Sequence, residues 1–387
     1  MKQNAPQDAH LAERKSSLRD PLGRERVASD SFLCTRPHKG ICLCGYGKDE
    51  VTGMKNPTVD VIIPTYKPDE NFLKLIEHLE KQTYPIRQII IMNTEEKYFH
   101  GLWYGHRFEL EHNVSVSHIS KMEFDHGHTR KEAVKKSKAD IFICMTDDAM
   151  PKDTHLIENL IAPIVEEKAE FSYARQLARE DAGAVESFTR QFNYPKESRI
   201  KSIKDLDKLG IKTYFFSNVC AAYRRDLYDE LGGFVDYTLF NEDMIFAAKA
   251  MKKGYRIAYV AEAEVIHSHH YTNKQQFHRN FDLGVSQAEH PEVFQNVPST
   301  TEGKKLVRMT MAYLRKKKKW YLIPGFIITC AYKYAGFKMG KNYKRLSERT
   351  ILKCTTNREY WLKKNIRGAT ANINPYSGYG ISPDERK

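Results

Sequence analysis

The chain has no apolar run approaching the roughly eighteen residues that a membrane-spanning helix needs. Met1 to Asp30 is polar and lacks the apolar core of a secretory signal, so a cytoplasmic location is expected. A paired-disulfide pattern is missing too: there are seven cysteines in 387 residues. Cys144, Cys220 and Cys330 have apolar neighbours and read as buried thiols. Cys34, Cys42 and Cys44 group near His38, but a Cys-x-Cys without a second dyad falls short of a structural zinc pattern. Acidic residues are scarce in the tail. From Gly303 onward there are 21 Lys/Arg against 4 Asp/Glu, an excess larger than the +13 of the whole chain, so the rest is mildly acidic. Such a tail suits nucleic acid or an anionic membrane surface. No familiar nucleic-acid module is visible, so the membrane surface is the expected partner and nucleic acid is not.

What is present is alternation. Residues 1–57 read as an extension, partly disordered and polar up to Asp30. A strand at Val59–Ile63 stopping at Pro64, an amphipathic helix over Asn71–Gln82 and strands at Ile86–Met92 and Val114–Ile119 follow. A helix at Thr129–Ser137 precedes a strand at Asp140–Met145. This βαβ order predicts an α/β fold with a mainly parallel sheet and flanking helices. Further on come a helix at Leu156–Glu167 interrupted by Pro163, a strand at Phe171–Leu177 and a charged, mobile loop over 193–212. Helices at Arg225–Leu231 and Glu242–Lys252 and short strands at Tyr255–Val260 and Glu264–His267 complete a domain over 58–300. A basic helical region, 301–387, follows it.

The chemistry concentrates at Ile141-Phe-Ile-Cys-Met-Thr-Asp-Asp-Ala149, where an apolar strand delivers Asp147 and Asp148 to its carboxyl end. In open α/β sheets ligands bind at that edge. Paired carboxylates there suit a hard divalent cation, which in turn suits a diphosphate. Thr65 and Tyr66 leave the first strand at the same edge, where Tyr66 can stack on a base and Thr65 can hydrogen-bond to it. Gly127 to Arg130 opens a helix: glycine lets backbone approach a phosphate, helix N–H groups attract anions, and Arg130 adds a fork of donors.

Five segments together resemble the family 2 glycosyltransferases. They are Val59-Asp-Val-Ile-Ile-Pro-Thr-Tyr66, Phe124-Asp-His-Gly-His-Thr-Arg130, Thr146-Asp-Asp148, Leu231-Gly-Gly-Phe234 with Asn241-Glu-Asp243, and Val265-Ile-His-Ser-His269 with Gln275-Gln-Phe-His-Arg279. The second is similar to the rhamnosyltransferase-like branch. The resemblance spans about 230 residues, Val59 to His290. It implies a GT-A fold and inverting transfer from a nucleoside-diphosphate sugar to a glycan or lipid-linked acceptor hydroxyl, with Mg²⁺ or Mn²⁺. It also implies the roles. Asp243 is the base, and Asp148 and His267 hold the metal, with His269 and His270 as competitors for that place. Pro64, Thr65, Tyr66, Glu95, Gly127, Arg130 and Asp147 bind the donor. Gly233, Glu242, Gln276 and Arg279 support the acceptor side. Thr146 replaces the first Asp of the Asp-x-Asp motif, and Asn280 the Trp of the Gln-x-x-Arg-Trp signature of processive synthases, so a polymer exporter is not expected.

The tail carries its own pattern. Arg315 to Lys319 is five consecutive cations, followed by Trp320 and Tyr321 and an interrupted apolar stretch to Tyr334. Aromatics beside lysine suit a membrane interface, so a peripheral enzyme on the inner face of the cell membrane is expected. Two alternatives belong to other classes. A nucleotidyltransferase of similar fold should carry a Gly-rich, Arg-containing loop after the first strand, and the residues after Ile63 lack it. A non-catalytic membrane-docked glycan-binding scaffold would not need Asp148, Asp243 and His267 together.

Overall fold

The computed structural model describes residues 54–100, 112–297 and 300–371, with side chains as far as 365. The Cys34, Cys42 and Cys44 group and nearly all of the expected extension lie outside the described residues. Nine strands form one mixed sheet: β1 (Val59–Tyr66), β2 (Gln88–Thr94), β3 (Val114–Ile119), β4 (Ile141–Met145), β5 (Met150–Pro151), β6 (Phe171–Leu177), β7 (Arg199–Lys201), β8 (Cys220–Arg224) and β9 (Ile257–Ile266). The order is β3-β2-β1-β4-β8-β6-β9-β5, with β7 also pairing β9. The β3-β2-β1-β4 half is parallel, as the βαβ alternation requires, and β6 and β9 are parallel as well. β8 enters antiparallel to both β4 and β6, and β5 and β7 pair antiparallel with β9.

Burial on both faces explains the apolar runs at residues 61–63 of β1 and 141–145 of β4. Val61, Ile63, Ile141 and Ile143 face one core with Phe72, Leu75, Ile76 and Leu79 of α1 (Glu70–Glu80). Ile62, Phe142 and Cys144 face the other, with Tyr223, Phe234 and Phe246. The alternation is the two-residue period of a strand seen from both sides. β1 runs on through Pro64, where a stop is expected from the sequence. Beyond Ile62 only β2 still pairs with it, so a missing N–H is tolerated there. The helices that matter next are α2 (His126–Lys136), α3 (Leu156–Val165), α4 (Ala184–Asn193) and α5 (Glu242–Lys252). α3 continues past Pro163, which sits in its last turn.

Two further expectations change. The two short strands after Tyr255 are one strand, β9, whose register against β6 jumps between Ala174 and Arg175 as a bulge. The charged segment 193–212 is ordered. Lys201 is buried in it and donates to the carbonyls of Lys212 and Phe215. The described part of the basic tail belongs to the same compact unit as the sheet. There α6 (Asn273–Glu289), α7 (Thr300–Lys316), α8 (Ile323–Lys341), α9 (Glu348–Cys354) and α10 (Arg358–Ala371) follow in order. A third core gathers Leu239, Phe281, Val285, Tyr343, Ile351 and Trp361.

α6 and α8 lie so close that glycine is required between them. A Cβ at Gly340 would overlap the carbonyl of Phe281, and one at Gly336 that of Phe277. Gly340→Val is therefore expected to destabilise the fold by about 1–3 kcal/mol, the range for overpacking. A thermal melt checks this, with Gly303→Ala, where the added Cβ meets open space, as the control.

Candidate active site

Thr146, Asp147 and Asp148 form the turn that follows β4, at the carboxyl edge of the parallel half. Asp148 meets two imidazoles delivered by the end of β9. His267 Nε2 lies 3.4 Å from Asp148 Oδ1, and His269 Nε2 lies 3.3 Å from Oδ2. One ligand atom from each residue falls within 4.8 Å of the others. Burial opposes the charge on Asp148, but the two histidines hold its carboxyl well below the usual range. His269 is pushed down to about 4 by burial and by His267 beside it, so its imidazole is neutral and available as a ligand. His267 is the ligand expected from the sequence, and the structure brings His269 to the same carboxylate. His270, the other competitor, is exposed and outside the cluster.

A second residue, Gln176 of β6, orients this cluster. Its Oε1 lies 3.0 Å from His267 Nδ1, so Nδ1 carries the proton and Nε2 points its lone pair at Asp148. Gln176 Nε2 in turn donates to Ser217 Oγ at 3.0 Å. The next residue, Asn218, donates its backbone N–H to Asp243 Oδ2 at 3.1 Å. His267 and the expected base, Asp243, are thus joined through Gln176 and the Ser217–Asn218 turn. Nothing in the sequence pattern singles out Gln176 or Asn218, because a buried polar residue in an apolar strand has no spacing signature.

Asp243 stands in the first turn of α5. Asn241 before it adopts the left-handed conformation (φ 67°), which asparagine tolerates, and its side chain donates to Ser286 Oγ at 2.9 Å. Those contacts aim Glu242 inward and leave Asp243 partly exposed. Burial, then the charge of Glu242, push Asp243 up to about 7. Gly233, with φ 71°, occupies the loop before α5 and packs against the Tyr228 ring. Arg279 of α6 lies over the Tyr271 and Phe240 rings, at 4.7 and 5.3 Å, and His126 also stacks on Phe240, at 5.3 Å. Tyr271 in turn contacts His269, so ring contacts run from the histidine pair to the surroundings of Glu242. Gln276 accepts Asn280 Nδ2 at its carbonyl, one turn along the same helix.

On the opposite side, Asp147 closes the donor edge. Its Oδ2 accepts Thr65 Oγ1 at 2.8 Å and the Tyr66 N–H at 3.4 Å. Thr65, expected to meet the base, therefore serves Asp147. Tyr66 is exposed and meets Tyr98 edge-on at 5.5 Å, with Lys67 and Lys121 over its ring at 5.3 and 5.1 Å. Glu95, with φ 67°, accepts the Lys121 N–H at 2.8 Å and pairs with Lys97.

Two expected donor ligands are placed elsewhere. The guanidinium of Arg130 is buried, 3.1 Å from Glu242 Oε1 and 3.0 Å from the His126 carbonyl, so it neutralises a carboxylate of the protein rather than a diphosphate. Gly127 is glycine because the Val235 carbonyl occupies the space of a Cβ. The same Gly-x-x-Arg pattern suits close packing and anion binding alike, and the sequence does not separate the two.

The profile described as Glycosyl transferase family 2 matches residues 60–232, and that of Glycosyl transferase family group 2 matches 188–352. The O-antigen chain rhamnosyltransferase RfbN of Salmonella typhimurium is 36% identical over 306 residues, covering 78% of this chain and 96% of its own length. The O-antigen chain rhamnosyltransferase WbaN of Salmonella anatum is 34% identical over 314 residues, covering 79% and 96%. Among solved structures, a mannosyltransferase from Pyrobaculum calidifontis in complex with GDP-Man and Mn²⁺ aligns with TM-score 0.47 and 14% identity, over 84% of this chain and 83% of that one. The chain belongs to glycosyl transferase family 2. It is an inverting glycosyltransferase that uses a nucleotide-sugar donor, in the rhamnosyltransferase-like branch.

Proposed function

We propose that this enzyme transfers rhamnose from a nucleoside diphosphate to a hydroxyl of a growing, lipid-linked cell-surface glycan. The observation that carries the sugar is likeness along nearly the whole length of two O-antigen chain rhamnosyltransferases. Asp243 takes the proton of the acceptor hydroxyl as its oxygen attacks the anomeric carbon, on the face opposite the departing diphosphate. A carboxyl raised to about 7 is well matched to proton abstraction, because at neutral pH a large share is ionised and the proton affinity is high. Tyr66 and its neighbours accept the nucleoside, and Asp147 fixes that loop. Asp148, His267 and His269 would hold the divalent cation, which when bound offsets charge on the leaving diphosphate. One carboxylate with two imidazoles, one of them oriented by Gln176, fits such an ion and favours Mn²⁺ over Mg²⁺, since imidazole is the softer ligand. A panel of nucleotide sugars, scored by diphosphate release with and without acceptor, tests the assignment. Turnover with a non-rhamnosyl donor and none with a rhamnosyl one would overturn it.

The tail supports action at an anionic membrane. α8 buries Phe326, Gly336 and Gly340 against the protein and leaves Ile327, Ile328, Tyr332 and Tyr334 exposed. Trp320, 68% exposed, and Tyr321 continue that apolar face beside the cations Arg315 to Lys319. Among the described residues no helix is long and apolar enough to cross a membrane. Aromatics at headgroup level with lysines on lipid phosphate is the arrangement this face allows. Each basic residue near such a surface contributes about 1 kcal/mol, so replacing all five by Gln should lower vesicle binding by well over tenfold. Co-sedimentation with anionic and neutral vesicles, at low and high salt, reads it. Equal binding to both lipids would rule the surface out.

A further inference from the structure

We infer that the buried Glu242–Arg130 pair, clasped by Asn218, is a positioning unit that tunes Asp243 as the acceptor of the substrate proton. The inference rests on the reading of Asp243 as the base. Its geometry is specific. Glu242 and Asp243 are adjacent carboxylates in one helical turn, the first 5% exposed. Asn218, itself buried, spans both: its N–H donates to Asp243 at 3.1 Å and its Nδ2 to Glu242 Oε1 at 3.1 Å. Tyr223 OH fixes the amide from behind, donating to Asn218 Oδ1 at 2.5 Å. Arg130 meets the same Glu242 oxygen, yet its Nε is buried with no partner among the described residues. An arginine optimised for stability would satisfy every donor, so its charge is what the site retains.

That charge decides which carboxylate holds a proton. Burial alone would raise Glu242, but Arg130 and then His126 bring it below its ordinary value, so Glu242 stays ionised. Asp243 then faces a fixed negative neighbour. The other titratable groups around it are uncharged near neutrality. Burial pushes Cys144 of β4 and Tyr194 after α4 each up to about 12, and raises Tyr223 of β8 well above its usual value. His126 of α2 is pushed down to about 4 by burial. Of the charged side chains, Glu242 and then Arg130 act on Asp243 most strongly, and in opposite directions.

Opposite signs make the test sharp. The acid limb of the pH profile of kcat/KM reports the free enzyme's base. Glu242→Gln leaves Arg130 facing Asp243 and should move that limb down by about one pH unit, tenfold in proton affinity. Arg130→Met leaves Glu242 unbalanced and should move it up, by less than that, because Arg130 is the weaker influence on Asp243. Asn218→Ala should lower kcat at every pH with little change in donor KM, and Glu242→Asp, keeping the charge, should restore the wild-type limb. Thermal melts show which variants fold. If the single variants do not, the Glu242→Gln/Arg130→Met double variant leaves no buried charge unpaired. Its limb should still fall, by less than one unit, because Glu242 acts more strongly on Asp243 than Arg130 does. Limbs that coincide with wild type in every folded variant overturn the inference. Asp243→Asn that keeps wild-type turnover overturns instead the reading of the base beneath it.

Discussion

Asp243→Asn is expected to lower kcat by a factor of about 10² or more while donor affinity stays within about twofold of wild type. The amide preserves the shape of the side chain, and Oδ1 can still accept the Met244 N–H that now caps the residue at 2.7 Å. What it loses is the capacity to take a proton. Wild-type turnover should therefore rise with pH through about 7, as the carboxyl ionises, and the residual turnover of the variant should lose that limb. Burial, and Glu242 after it, raise the proton affinity, so the ionised form is scarce below the limb and dominant above it. Calorimetric donor binding, with turnover across pH, separates the two roles. A variant that lost donor affinity and kept its turnover would make Asp243 a binding residue.

How much of this was legible follows from the kind of signal each part leaves. β1, β4 and α5 are readable because apolar runs and helical spacing are local properties; Asp147 and Asp148 stand out because they close a strand, whereas Asp243 is singled out mainly by the family resemblance. The merging of two short strands into β9 was not legible, since a bulge at Ala174/Arg175 is decided by the partner strand. Arg130 was misplaced for a similar reason. Its partner Glu242 lies 112 residues away in sequence, and only the fold brings the two within 3.1 Å. Gln176 and Asn218 left no trace because hydrogen bonds to a histidine and a base come from the interior of strands and turns. α8 shows the complementary case. Its aromatics and lysines suggested a membrane face, its glycines a packed one, and one helix presents both on opposite sides.

Asp148→Ala should abolish transfer and, with it, the binding of Mn²⁺. Asp148 supplies the only carboxylate of the cluster, and both imidazoles are aimed at its oxygens. Without that charge two imidazole rings remain, a set that holds a hard divalent ion weakly. Donor affinity should then become independent of added metal, falling to the level that chelated wild type shows. Gln176→Leu provides a graded companion. It frees the His267 ring to turn or change tautomer while leaving every ligand in place. Loss of such an outer partner costs about 10–100-fold in metal affinity. Titration of the protein with Mn²⁺, followed by calorimetry, reads both variants without reference to turnover. The expected order is wild type tightest, Gln176→Leu intermediate and Asp148→Ala without measurable binding. Wild-type turnover and donor affinity that survive thorough chelation would remove the cation from the mechanism. Asp148 would then be a carboxylate that orients two histidines, and its loss would be felt in the protein's stability rather than in its ligands.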